Sequence, residues 1–351
     1  PLIQFASLTG ISGVSLWVIF LNILVYFLFK HRKNLPKASG FAILIVLLFL
    51  VPYLYGKKAL SEASSSSKIK VALIQGNIDM NVKWNPKYLN YSFEVFTSLS
   101  KKAVEENPDL IIWPETSAPC YLAYEPYYFN WVQSLSDSLN KSIVVGTDDY
   151  KIVGDNQYIF YNAVFLFQPN KGLADRYYKM QLVPFAEKLP LSGKMRVLNK
   201  IQLGQANFSS GENYTLFDSP KGKFASLVCF EMAFPNLVRK FVNKGASFLV
   251  NITNDSWFGR TAGPHQHAAM SIVRAIENRI SIARCANSGI SILVDPYGRI
   301  IEKTGLFEQL NLVGEIPLKN KESFFSRHGN FVTIISLAFS LGFLILAILK
   351  K

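Results

Sequence analysis

The chain has 351 residues, of which 50% are hydrophobic, 14% aromatic and 17% charged, with a mean hydropathy of +0.19. That balance is too apolar for an ordinary soluble protein and excludes the disordered and fibrous classes. The net charge of +13, from 37 basic and 24 acidic residues, would suit a nucleic-acid partner, but no stretch packs five like charges together, so none is expected.

Residues 1–29 carry no charge, and roughly 20 apolar residues suffice to cross a bilayer as a helix. A first span is expected at about 11–30 and a second at about 39–56, the two making up a membrane unit over residues 1–56. Between them lies a basic loop, Lys30-His31-Arg32-Lys33 through Lys37. A signal peptide is the alternative for the first span, but no basic segment precedes it and a second span follows at once. The chain starts at Pro1 inside an apolar run, which reads as a fragment with earlier helices missing.

Residues 57–67, ending in the polar run Ser61–Ser67, read as a linker. A globular domain is then expected over 68–318, and a last membrane helix over 330–349 before Lys350-Lys351. Excess positive charge stays in the cytoplasm, so the 30–37 loop and the terminal lysines are expected there and the 68–318 domain on the opposite side, the periplasm of a Gram-negative cell. Within the domain, strand-length apolar runs recur at Val71–Gln75, Leu110–Trp113, Ile143–Gly146, Ala163–Phe167, Phe224–Cys229, Phe248–Ile252, Ile280–Cys285 and Ile290–Val294. Helical spacing covers Pro86–Glu106 and Gln266–Ile280. Strands apolar on both faces alternating with helices imply a layered α/β fold. The close pair around Ser288-Gly289 adds hairpins to the sheet.

Three side chains stand where strands end. Glu115 closes LIIWPE, Lys179 lies in RYYKMQLVPFAE with Glu187 eight residues on, and Cys229 closes FASLVC before Phe230-Glu231. A thiol at a strand-to-helix junction can face amide donors, a carboxylate can take its proton, and an enclosed ammonium can stabilise thiolate and oxyanion. Taken singly, each has an ordinary alternative: a buried structural cysteine, a solvated loop acid, a surface lysine. His265 and His267 at i and i+2 do not share a helix face and read as helix-start packing, so no metal is expected. Cys120, Cys229 and Cys285 form no CxxC pair, and pairing of Cys120 with Cys285 stays open. The long connection from Met180 to Phe217, with Leu189, Leu191, Met195, Val197, Leu198 and Ile201 among Lys188, Lys194, Arg196 and Lys200, reads either as a lid touching a bilayer or as a packed excursion over the core.

The ordered signatures WPE, YYK with PFAE, and CFE, together with NITNDSWFG at 251–259 and RAIENR at 274–279, resemble the nitrilase or carbon–nitrogen hydrolase superfamily over essentially all of 68–318. That resemblance implies a nitrilase-like αββα sandwich, here inserted between transmembrane helices. With membrane spans on both sides, the whole is similar to the bacterial apolipoprotein N-acyltransferase family, whose pattern implies about four more helices ahead of Pro1. The resemblance implies a Glu-Lys-Cys triad: Cys229 as nucleophile, Glu115 as general base and Lys179 as oxyanion stabiliser, with Glu187 and Glu231 as supporting acids. Trp257 and Phe230 are the implied substrate-binding residues: Trp257 matches an aromatic residue of the acyl site, although a core tryptophan is nearly as good a reading, and Phe230 stands where many members have Tyr. The implied reaction moves a fatty acyl group from a phospholipid of the phosphatidylethanolamine type, through a thioester, to the α-amino group of a diacylglyceryl-cysteine apolipoprotein. It implies no cofactor, a monomer, and a multi-pass inner-membrane location with the catalytic domain in the periplasm. The alternative within the superfamily is a membrane-tethered amidase.

Overall fold

The computed structural model describes residues 1–61, 67–83, 85–154, 157–188, 207–319 and 321–350. Apolar sequence at the N-terminus forms α1 (Ala6–Lys30) and α2 (Leu35–Ser61), because a helix satisfies every backbone amide without water. α1 breaks at Gly10, whose φ of 67° lies in the left-handed region, and a Cβ there would run into the Phe325 ring. α2 continues to Ser61, so residues 57–61 of the expected linker are helix; residues 62–66 lie outside the described residues.

The globular part runs β1 (Lys68–Gln75), α3 (Met80–Lys83), α4 (Leu89–Val104), β2 (Leu110–Ile112), β3 (Ala118–Tyr121), α5 (Pro126–Leu139), β4 (Ser142–Ile152), β5 (Tyr158–Gln168) and β6 (Gly172–Tyr178). It continues through β7 (Phe217–Ser219), β8 (Gly222–Val228), α6 (Pro235–Asn243), β9 (Phe248–Thr253), α7 (Gly263–Asn278), β10 (Ile282–Ala286), β11 (Ile292–Val294), β12 (Ile300–Lys303) and β13 (Leu310–Pro317). α8 (Phe324–His328) then leads into α9 (Phe331–Leu349). α1, α2 and α9 are each long and apolar enough to cross a membrane.

The strands form two mixed sheets. One has the order β13-β1-β2-β4-β5-β6 with β3 beside β4, and the other the order β12-β11-β10-β9-β8-β7. Each is centred on three parallel strands, β1-β2-β4 and β8-β9-β10, flanked by antiparallel ones, and the short β3 also runs parallel to β4. Parallel neighbours require crossovers, which α4 and α5 supply to the first sheet and α6 and α7 to the second.

Alternation along the strands separates the layers. Ile69, Val71, Leu73, Leu110, Ile112 and Val144 of the first sheet join the cluster built on the second sheet with Leu237, Val238 and Phe241 of α6. Ala72, Ile74, Ile111, Trp113 and Ile143 point the other way, into Phe93 and Phe96 of α4 and Val132 and Leu135 of α5. The result is helices, sheet, sheet, helices: the αββα sandwich that the sequence resemblance implied. Carboxyl ends of the parallel strands, where open α/β sheets collect chemistry, carry Glu115 after β2, Cys229 after β8 and Asn254-Asp255 after β9.

The three cysteines are free. Cys285 sits buried between the sheets with its Sγ donating to the carbonyls of Ile74 and Ile112, so the Cys120–Cys285 pairing left open above is not made.

Candidate active site

Pro114 ends β2 by removing an amide donor, and the chain turns through Thr116 at φ 48°. Gly146 lies against this turn, and a Cβ there would meet Pro114 O and Glu115 Cα. Glu115 is thereby held inward, 7% exposed. Its Oε1 accepts from Asn162 Nδ2 at 2.9 Å and its Oε2 from the Asn254 amide at 2.9 Å. Lys179, directly after β6, is 1% exposed, with Nζ 2.8 Å from Glu187 Oε1 and 3.6 Å from Glu115 Oε1. Asn162 ties the two carboxylates together, since its Nδ2 also lies 3.2 Å from Glu187 Oε1. Glu187 is fixed in turn by the Val183 amide on Oε2 at 2.8 Å.

Cys229 is half-buried at the start of a short 3-10 turn, at φ 51°, a conformation that costs a non-glycine residue roughly 1–2 kcal/mol. Glu231 bridges this turn and the Lys179 segment. Its Oε2 accepts from the Val228 amide at 2.8 Å, while Oε1 accepts from Tyr177 Oη at 2.8 Å and from the Met180 and Gln181 amides at 2.7 and 3.0 Å. The two acids that the sequence could only class as supporting therefore do different work. Glu187 grips the Lys179 ammonium, and Glu231 grips the backbone on both sides of the site.

Burial above all, then the charge of Glu115, pushes the Cys229 thiol up to about 12, against the pull of Lys179 and the Thr253 hydroxyl. The resting sulfur is a thiol and needs a base. Burial by itself would lower Lys179, but Glu115, Cys229 and Glu187 outweigh it and hold the ammonium above its ordinary value. Lys179 is a permanent cation beside the sulfur, suited to stabilising thiolate and oxyanion.

Several residues of the site were not singled out in the sequence. Asn162, in the middle of β5, gave no signal. Arg284 gave one, as a lone charge inside an apolar strand that demands a partner. It is fully buried, with Nη2 2.7 Å from Asp255 Oδ2. His267 Nδ1 lies 2.8 Å from Asp255 Oδ1, so this histidine serves a buried ion-pair network at the start of α7. Arg284 and His267 overcome the upward push of burial and hold Asp255 down at about 2. That network anchors the NITNDSWFG loop, whose Asn254 amide holds Glu115 and whose Asn251 Nδ2 donates to Leu227 O at 3.1 Å. Gly289 is required beside it, because a Cβ there would overlap the Asp255 carboxylate. Among the described residues no group of three metal-ligating side chains occurs.

Two assigned residues are apolar neighbours of these turns. Trp257 is 65% exposed on the turn after Asp255, which excludes the core reading. Phe230 is half-buried and packs edge-on against Phe234 at 5.2 Å. The apolar residues of the 180–217 connection from Leu189 to Ile201 lie outside the described residues.

Fold and site together define a nitrilase-type α/β domain with Glu, Lys and Cys at strand ends, and the carbon–nitrogen hydrolase family profile matches residues 70–324. Among solved structures, Nit3 of Saccharomyces cerevisiae, a member of branch 10 of the nitrilase superfamily, has a TM-score of 0.53 at 21% identity, covering 72% of this chain and 90% of that one. An amidase from Nesterenkonia sp. has a TM-score of 0.55 at 18% identity, covering 77% and 96%. At these identities the likeness concerns the fold. Sequence relatives extend into the long apolar helices: the apolipoprotein N-acyltransferase of Geobacter metallireducens is 39% identical over 94% of this chain, and that of Chlorobaculum tepidum 31% over 100%. This chain spans 64% and 70% of the length of those two relatives. It belongs to the apolipoprotein N-acyltransferase family, within the carbon–nitrogen hydrolases.

Proposed function

We propose that the protein is a lipoprotein N-acyltransferase that works through a Cys229 thioester. The observation that carries this reading is a buried Glu115–Lys179–Glu187 cluster whose Glu115 and Lys179 charges bear on the Cys229 thiol, in a chain whose relatives carry that activity in their name. Glu115 takes the thiol proton as sulfur attacks the donor ester, Lys179 stabilises the tetrahedral oxyanion, and the proton passes to the departing alcohol. In the second half-reaction the α-amine of a diacylglyceryl-cysteine attacks the thioester carbon, the C–S bond breaks, and the thiol is restored. The donor is a phospholipid of the phosphatidylethanolamine type, and both substrates are lipid-anchored. That fits a catalytic domain flanked by helices able to cross a membrane. The basic 30–37 loop and terminal lysines support an inner-membrane orientation with the catalytic domain in the periplasm. The chain works as a monomer.

Intact-mass analysis after incubation with phosphatidylethanolamine should show one added acyl group, absent in Cys229→Ala. Supplying a diacylglyceryl-cysteinyl peptide should move that group into an amide. Release of free fatty acid with no amide formed would replace this reading with the amidase.

A further inference from the structure

The acyl transfer just proposed has a proton problem that Glu115 does not solve alone. An α-amine at neutral pH is partly an ammonium. Making an amide from it removes two protons, and only one returns to the Cys229 sulfur. A second acceptor is required.

Asp148 is placed for that task. It lies on β4 directly opposite Asn162 of β5, the residue that bonds both Glu115 and Glu187. Opposed residues of an antiparallel pair project from the same face, so Asp148 shares the face of the cluster. Its neighbour Asp149 projects the other way and is consumed there by Arg176 Nη1 at 2.9 Å and Tyr178 Oη at 2.7 Å. Asp148 is not consumed. Its Oδ1 is buried with no hydrogen-bond partner, and no cation lies within ion-pair distance among the described residues.

The charges of the site sharpen the assignment. Lys179 answers Glu115 and Glu187, and Lys83, 4% exposed with Nζ on the Glu115 carbonyl at 2.9 Å, is the second buried cation. Two cations, Lys179 and Lys83, stand among three carboxyls, Glu115, Glu187 and Asp148, which leaves the face one cation short. Glu231 does not alter the count at this face, because its oxygens are taken by four donors. An incoming ammonium would supply the missing charge.

The groups that act on Asp148 come from α3, the β2 end and the segment after β6. Burial raises its carboxyl most, Lys83 pulls it down, and Glu115 and Glu187 push it up, leaving it at about 7. Cys120 and Tyr121 of β3 lie near it as well; burial raises both, and the Asp148 charge adds to the rise, after Glu125 in the case of Cys120. A carboxylate poised near neutrality suits a general base.

We propose that Asp148 is the base on the acceptor side: its carboxylate binds the α-ammonium of the incoming diacylglyceryl-cysteine and takes one of its protons as the nitrogen attacks the Cys229 thioester. The second proton goes through Glu115 to the leaving sulfur, and protonated Asp148 then discharges to water. Charge and atoms balance, with the acyl group moving from sulfur to nitrogen and no co-reactant needed. This inference rests on the acyltransferase reading, and it explains selection of an amine acceptor over water.

The test separates the half-reactions in the full chain, for wild type, Asp148→Asn and Asp148→Glu. Acyl-enzyme formation from phosphatidylethanolamine is followed by mass in single turnover, then its discharge to a synthetic diacylglyceryl-cysteinyl peptide. Asp148→Asn should acylate within a few-fold of wild type but transfer roughly 10²-fold more slowly, the lower end of the general-base range, with Asp148→Glu partly restored. Wild-type transfer should fall as pH drops through about 7, where the carboxylate is lost. In Asp148→Asn that inflection should vanish, leaving only the acceptor amine's own titration near ~8. Unchanged transfer in Asp148→Asn, or an equal slowing of both half-reactions, would overturn the assignment. A wild-type protein that forms an acyl-enzyme but yields no amide would instead overturn the acyltransferase reading, and this one with it.

Discussion

Glu115→Gln removes one charge and the basic oxygens while keeping the side chain's size, so its effect isolates proton abstraction from Cys229. With the thiol held at about 12 instead of 9.0, ionising it costs about 4 kcal/mol more than in an ordinary cysteine. At pH 8 only about one sulfur in 10⁴ would be thiolate without a base. Acylation should therefore fall by about 10²–10⁴ in the variant, the range for a lost general base. The pH dependence carries the sharper test. If the variant reacts only through pre-formed thiolate, its rate rises about tenfold per pH unit as alkali removes the proton. Loss of the Glu115 charge eases ionisation, but burial is the larger cause and remains, so no plateau is expected up to about pH 9.5. Single-turnover acylation from about pH 6.5 to 9.5 reads this directly. A plateau at or below about pH 9 would mean that the sulfur is not desolvated as the geometry requires, and the reasoning would fail. Lys179→Met is the contrast. It should lose about 10²–10³ at every pH, since hydroxide cannot replace an oxyanion donor.

Arg284→Met takes the guanidinium from the buried Asp255 carboxylate and leaves it only His267 and Thr253, and breaking such a pair costs about 3–5 kcal/mol; thermal unfolding should drop accordingly, and a loss below about 1 kcal/mol would refute the network's weight. Asp255 is held below its unfolded value, so its stabilisation is present above about pH 4 and is lost as pH falls through about 2. Wild type should weaken over that window and Arg284→Met should do so less, because only the His267 part of the depression remains. Glu231→Gln puts an amide NH2 against backbone donors at one end or the other, so stability should fall by roughly 1–3 kcal/mol and acylation with it, whereas a silent variant would deny it the bridging role. Gly10→Ala forces a Cβ into the Phe325 ring and strains φ by about 1–2 kcal/mol; loosening of the α1–α8 contact should appear as faster proteolysis near residue 325. A periplasmic reporter fused after Ser61 should be active and one at Lys33 silent, and the reverse would invert the proposed topology.

Much of this protein could be read from local sequence. Uncharged runs dictate helices wherever the backbone must satisfy itself, so the ends of the chain declared themselves, as did the strands that are apolar on both faces. Glu115, Lys179 and Cys229 could be placed at strand ends because Pro114, the YYK step and the CFE step break strand patterns at those points. What sequence could not supply was pairing across distance. Asn162 is an unremarkable polar residue in an apolar strand until register sets its amide between Glu115 and Glu187, 47 and 25 residues away. Glu187 and Glu231 look alike as acids near the site, and only the hydrogen bonds show that one holds an ammonium and the other two backbone segments. Asp148 and Asp149 are identical neighbours separated by the pleat, which turns Asp149 to an arginine and Asp148 to the face of Asn162 and the Glu115–Lys179 cluster. Local spacing fixes which side chains share a face of their own element. Sheet order and strand register, set by packing of the whole core, decide which faces meet and hence which charges are answered and which wait for a substrate.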